Sequence, residues 1–158
     1  MKEKAIRVYA DTSVFGGVFD DEFKKGSERF FDLVRAGDIR LVLSAIVRNE
    51  VSRAPGKVQA IFNEIYEYAE VLEASSEAVA LQEAYIKANI LTSRWEEDAL
   101  HVALATVAEC AIIISWNFKH IVNFRKIPLY NAVNMALGYK TIAIHSPMEV
   151  VADEQEKI

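Results

Sequence analysis

Three acidic residues stand where a chain of alternating strands and helices would bring side chains to one edge. Asp11 follows the apolar run "IRVYA" and precedes Thr12 and Ser13, so a strand leads straight into a carboxylate and two hydroxyls. Glu50 falls in the second turn of a helix expected after "IRLVLS", from where its carboxylate reaches back toward the strand tips. Asp98 sits in "WEEDALHVALA", a turn into a helix whose following residues are apolar. Glu96 and Glu97 already supply the negative charge that a helix N-terminus favours, and aspartate is a poor helix former, so Asp98 needs another reason to be there. Ser115 and Asn117 directly follow the apolar strand "AIIIS", where ordinary turn hydrogen bonding also accounts for them.

Carboxylates gathered in one cleft repel one another and raise each other's pKa unless a cation lies among them. Asp11, Glu50 and Asp98 are therefore candidate metal ligands. The donors are oxygens, because His101, His120 and His145 have no second histidine or cysteine at a zinc-like spacing. Mg²⁺ or Mn²⁺ suits such a set, with waters and substrate phosphates completing the shell. The chemistry indicated is phosphodiester hydrolysis, in which the metal generates a hydroxide nucleophile and offsets charge on the phosphate.

The elements that must position these residues alternate. "IRVYA" reads as a strand, and "SERFFDLVRA" puts Phe30, Phe31 and Val34 at helical spacing with Gly37 as a stop. Ile39 to Leu43 forms the second strand, Ser44 caps a helix carrying Ile46, Val47 and Val51, and Pro55 with Gly56 ends it. A helix follows with Ile61, Ile65 and Tyr68 on one face, then a short strand "EVLE" and a serine-capped, alanine-rich helix from "SSEAVALQ". "SRWE" at 93–96 matches a capping box ahead of the Asp98 helix, "CAIIISW" is a buried strand, and "KTIAI" is another. Strands alternating with helices imply a mostly parallel sheet covered on both faces, with ligands beyond the carboxyl ends of the strands.

Composition is that of a globular protein: 158 residues, 52% hydrophobic and 26% charged, with no internal repeat and no domain boundary. No run of about 18 apolar residues offers a membrane span, and the start "MKEKAIRVYAD" forms no signal-peptide core, so cytoplasm is the expected location. Cys110, the single cysteine, lies in an apolar run and reads as a buried inert thiol. A net charge of −5 argues against coating nucleic acid by bulk electrostatics while leaving room for a local basic groove. Lys24, Lys25, Arg48, Arg53, Lys119, His120, Arg125 and Lys126 fall near expected loops or strand tips, mostly as surface charge. Lys119, in the basic stretch "NFKHIVNFRK", has the best claim to a phosphate. Trp116, next to a buried strand, reads as core rather than a base-stacking ring.

The blocks "VYADTSVFGG", "LVLSAIVRNEV", "WEEDALHVALA" and "IIISWNFKHI", in this order, resemble the PIN-domain family, small metal-dependent nucleases that include VapC-type toxins of toxin-antitoxin pairs. The resemblance runs from Ile6 to about Val150. It implies one PIN-like domain over residues 1–150, ahead of a solvated tail at 151–158: a three-layer α/β/α sandwich with a mostly parallel sheet of about five strands. It implies an endoribonuclease dependent on Mg²⁺ or Mn²⁺, with RNA as substrate and an antitoxin protein and a second copy of the chain as partners. Asp11, Glu50 and Asp98 match the family's metal-binding acids, and Thr12 or Ser13 its neighbouring hydroxyl. Thr12, Ser13 and Lys119 are the expected substrate contacts. The family's fourth position is an acid in a T-x-D-x-x-F pattern; here Ser115 matches the hydroxyl and Asn117 stands where the acid would be. An amide contributes no charge, so three carboxylates occupy the four positions and a second metal binds more weakly.

Of two other phosphoryl chemistries, one fails on its motif and the other fits poorly. An aspartyl-nucleophile phosphatase needs an acid two residues after the first, where Ser13 stands, and a receiver domain needs a lysine closer to the late strand than Lys119. The rival of a different class is a PIN-like fold that binds RNA or protein without cutting, the absent fourth acid marking lost catalysis.

Overall fold

The computed structural model describes residues 5–150, so the 151–158 tail lies outside the described residues. Five strands form one sheet: β1 (Ile6–Ala10), β2 (Ile39–Ser44), β3 (Glu70–Leu72), β4 (Ile112–Ile114) and β5 (Ala143–His145). Their order is β3-β2-β1-β4-β5 and every neighbouring pair is parallel. Val8, Tyr9, Val42, Leu43, Ile113 and Ile114 are fully enclosed, as strands covered on both faces must be. The helices are α1 (Thr12–Gly16), α2 (Lys24–Arg35), α3 (Ala45–Ser52), α4 (Gly56–Tyr66), α5 (Ser76–Lys87), α6 (Glu96–Val107) and α7 (Lys126–Ala136). α1, α3 and α4 pack together, as do α5, α6 and α7. Right-handed crossovers place the two groups on opposite faces, which gives the expected three layers.

The strand order reverses between β1 and β4, the place where such sheets open a crevice at their carboxyl edge. The register pairs Ala10 with Ile114, so the next residues, Asp11 and Ser115, leave the sheet side by side.

Several local details depart from the sequence reading. α1 starts immediately after Asp11 and is only five residues long, too short to show helical periodicity. α2 begins at Lys24, one turn earlier than Ser27. On α4 the buried residues are Val58, Phe62 and Ile65, while Tyr68 lies past the helix end and is exposed. "SRWE" makes no capping box: Ser93–Trp95 is a single 3₁₀ turn, and α6 starts with no side-chain cap. Asp98 is accordingly in the first turn of α6 rather than beyond it.

Trp116 is core, 7% exposed, and it ties the end of β4 to α2. Its indole stacks on Phe23 with ring centroids 4.3 Å apart, and Nε1 donates to Ser27 Oγ at 2.9 Å. Gly17 and Gly26 make room for the ring, since a Cβ on them would stand 2.5 Å and 2.8 Å from indole atoms. Cys110 is buried and its thiol pKa is pushed up to about 11 by that burial, in keeping with an inert side chain. Among the described residues no helix is long and apolar enough to cross a membrane.

Candidate active site

Asp11 occupies the joint between β1 and α1 with extended backbone, and its side chain caps α1. Oδ1 accepts from Ser13 N at 3.1 Å and Ser13 Oγ at 2.5 Å; Oδ2 accepts from Ser115 Oγ at 2.6 Å. The residue is 4% exposed. Burial pushes its pKa above the usual aspartate range, aided by the Glu50 charge. The nearby His101 and the Ser115 and Ser13 hydroxyls offset only part of that rise. Ser13 Oγ also accepts from Trp116 N at 2.9 Å, and Ser115 Oγ accepts from Asn117 N at 2.9 Å, so both hydroxyls are fixed by the backbone leaving β4.

Glu50, in the second turn of α3, reaches the same edge. Its Oε1 accepts from Thr12 Oγ1 at 3.1 Å and from His101 Nε2 at 2.7 Å. Burial alone would raise its pKa, yet His101, Thr12 and Arg53 together hold it below the usual glutamate value. His101 is buried on α6 and its Nδ1 lies 2.7 Å from Tyr9 Oη, which lies 2.8 Å from Ser44 Oγ. Burial disfavours the imidazolium, but the Glu50 hydrogen bond and the charges of Asp11, Glu50 and Asp98 outweigh it and raise the His101 pKa. The chain Glu50–His101–Tyr9–Ser44 gives each of these polar side chains a partner, and among the described residues no buried side-chain nitrogen or oxygen lacks one.

Asp98 pairs through Oδ2 with His120 Nδ1 at 2.8 Å. His120 is held in turn: its N–H donates to Asn117 Oδ1 at 3.0 Å and its carbonyl accepts from Tyr130 Oη at 2.7 Å. Asn117 thus caps the turn that carries His120. Glu50, Asp98, Asn117 and His120 line one cleft of about 640 Å³, whose rim includes Glu96, Glu97, Arg94, Trp95 and Lys119.

Of the five residues expected to do chemistry, Asp11 and Ser115 are joined by a hydrogen bond where β1 and β4 end, and Glu50, Asp98 and Asn117 line the cleft. Thr12 and Ser13, expected as substrate contacts, hold carboxylates in this structure, whereas Lys119 stands over the Trp95 ring at 5.5 Å. Arg48 instead faces Glu73 at 4.0 Å. The sequence reading missed His101 and His120 as partners of the acids, and Tyr9 as the partner of His101. His101 carried a signal, an imidazole within the apolar stretch "ALHVALA", since a buried polar ring needs a partner.

Among the described residues no three acidic, histidine or cysteine side chains stand grouped as a metal site. The expected convergence is thus not closed here, because each acid has its own partner: hydroxyls for Asp11, imidazoles for Glu50 and Asp98. The donor set still fits a hard divalent ion. Glu50 Oε2 and Asp98 Oδ1 make no hydrogen bond among the described residues, and both residues line the cleft.

The family model for the PIN domain matches residues 7–119. The chain belongs to the PIN-domain family. Among solved structures, VapBC2 from Rickettsia felis bound to a promoter DNA fragment is similar over 89% of this chain and 98% of that one, at 13% identity and a TM-score of 0.60. FitAcB from Neisseria gonorrhoeae is similar over 89% and 98%, at 15% identity and a TM-score of 0.57. VapC20 from Mycobacterium tuberculosis, a sarcin-ricin loop cleaving toxin, is similar over 85% and 98%, at 14% identity and a TM-score of 0.51. At such identities the likeness is one of PIN-domain fold. No curated protein matches the sequence.

Proposed function

We propose that this PIN domain is a cytoplasmic endoribonuclease dependent on Mg²⁺ or Mn²⁺, and the toxin of a toxin-antitoxin pair. The observation that carries this reading is the pair of acids Glu50 and Asp98 on one cleft lined also by Arg94 and Lys119, at the sheet edge where the strand order reverses and where Asp11 ends β1. Glu50 and Asp98 would hold the ion with Asp11 as the fixed charge behind them. A bound divalent ion supplies an activated water and offsets charge on the phosphate. Ser13 and Ser115 keep the Asp11 carboxylate in place, and His101 keeps Glu50 in place. The Asn117 amide nitrogen, which makes no hydrogen bond among the described residues, is free to donate to a phosphate oxygen, and Lys119 and Arg94 meet phosphates at the rim.

The similarity to VapBC2 and FitAcB supports an antitoxin as partner, and that to VapC20 supports RNA as substrate. The test is cleavage of labelled single-stranded and structured RNAs in Mn²⁺ or Mg²⁺, comparing wild type with Asp11→Asn and a chelator control. Cutting by wild type alone supports the reading; equal cutting by both, or none by folded wild type, removes it. One feature favours the alternative of a non-cutting RNA-binding module: Asn117 in the acid's place, its side-chain oxygen already used to cap the His120 turn. RNA binding without cutting in that same assay would select it.

A further inference from the structure

A second cavity, of about 540 Å³, opens beside the acidic cleft and shares Trp95 and His120 with it. That volume is within the range of small-ligand sites. Ile86, Ile90 and Leu91 form its apolar wall, Asn89 and Thr92 its polar edge. Lys126 is held there by a hydrogen bond from Nζ to the Ile90 carbonyl at 2.8 Å.

Trp95 forms the partition between the two cavities. Its ring lies 4.5 Å from that of His120, and Arg94 and Lys119 stand over it at 5.1 Å and 5.5 Å. The residue precedes α6 and contributes no side-chain cap to it, so helix formation does not account for a tryptophan here. Trp116, by contrast, is enclosed between Phe23 and two glycines. A half-buried aromatic face flanked by cations is how proteins stack an unpaired base while holding its neighbouring phosphates.

We propose that this pocket is the subsite for one unstacked nucleobase of single-stranded RNA, with Trp95 as the stacking surface and Asn89 and Thr92 at the base's polar edge. The proposal rests on the nuclease reading of the adjacent cleft. Because Trp95 and His120 border both cavities, the base belongs to a nucleotide next to the phosphate met by Asn117, Lys119 and Arg94 in the acidic cleft. A duplex keeps its bases stacked, so the subsite selects loops, ends and single strands. The polar edge and flanking cations suit a nucleotide better than an apolar segment of protein.

The test uses short single-stranded RNAs in Mn²⁺, each carrying one abasic position, with wild type, Trp95→Leu and Trp95→Phe. Trp95→Leu is expected to lower kcat/KM by about 5- to 150-fold, as loss of one base-aromatic stack does, and Trp95→Phe to retain most of it. One abasic position beside the cut should slow wild type by a similar factor and add little to Trp95→Leu. Equal rates for wild type and Trp95→Leu, or the same abasic profile for both, would overturn the subsite while leaving the nuclease standing. Should Trp95→Leu fail to fold, a wild type indifferent to every abasic position overturns it equally. If wild type neither binds nor cuts any RNA, the nuclease reading falls and the subsite with it.

Discussion

The Asp11 and Asp98 ends of the site are built in different ways. Asp11 is 4% exposed, and its partners are Ser13, two residues on, and Ser115, placed beside it by the pairing of Ala10 with Ile114. Asp98 has a side chain 23% exposed, starts a helix without a cap, and meets a histidine carried on a turn. Strand register thus fixes one charge independently of substrate, whereas loops set the other and surround it with Trp95, Arg94 and Lys119. In the proposed reaction the sheet edge would supply the chemistry and the loops around Asp98 the recognition.

Asp11→Asn breaks the sheet-built end directly. Cleavage should fall by about 10³-fold, the scale of several kcal/mol of transition-state charge stabilisation. The same variant should be more heat-stable than wild type in chelator. The folded-state pKa of Asp11 is raised, so its contribution to stability is lost as pH rises through that value, and the ionised side chain is a cost at neutral pH. A melting temperature equal to or below that of wild type would contradict this. Trp116→Ala removes the support behind that end and should cost about 3–5 kcal/mol of stability, lowering Tm by roughly 6–20 °C. Trp95→Leu should shift Tm far less; similar shifts would erase the distinction between core and cleft tryptophan.

Tyr9→Phe tests how Glu50 joins the two ends. It leaves His101 Nδ1 and Ser44 Oγ without their buried partner, at a cost of about 1–3 kcal/mol in denaturant unfolding. Because Glu50 is reached only through His101, kcat should drop with KM little changed; a KM effect alone would count against the positioning role. The smallest effect is on pH dependence. A raised His101 pKa contributes stability that is full below the ordinary imidazole range and lost as pH rises through the folded value. Glu50, with a lowered pKa, contributes above the ordinary carboxylate range and loses it only as pH falls. In chelator, wild-type Tm should therefore decline from pH 6 to 9 more steeply than that of His101→Gln.

The sheet-built end was the more legible in sequence. Asp11 and Ser115 each follow an unbroken apolar run, and such runs mark strand ends without knowledge of the tertiary fold. Glu50 was equally readable, because Ser44 is a cap that the structure uses. At the other end the signals failed. Ser93 resembles a cap and is not one, because the chain tightens into a 3₁₀ turn before α6. The partners of the acids lie 51 residues from Glu50 and 22 from Asp98, separations that only tertiary packing brings together. Trp95 and Trp116 look alike in sequence, and what distinguishes them is the pair of glycines and Phe23 that close over one ring.

Asn117 lends its side-chain oxygen to the backbone of His120 and its own N–H to Ser115. An aspartate can make the same two bonds, since the accepting oxygen and the backbone are unchanged. Exchanging one nitrogen for oxygen would thus add a fourth negative charge to the edge without rebuilding the turn. One side-chain atom at position 117 therefore sets the formal charge of this edge separately from the hydrogen bonds that hold its turn.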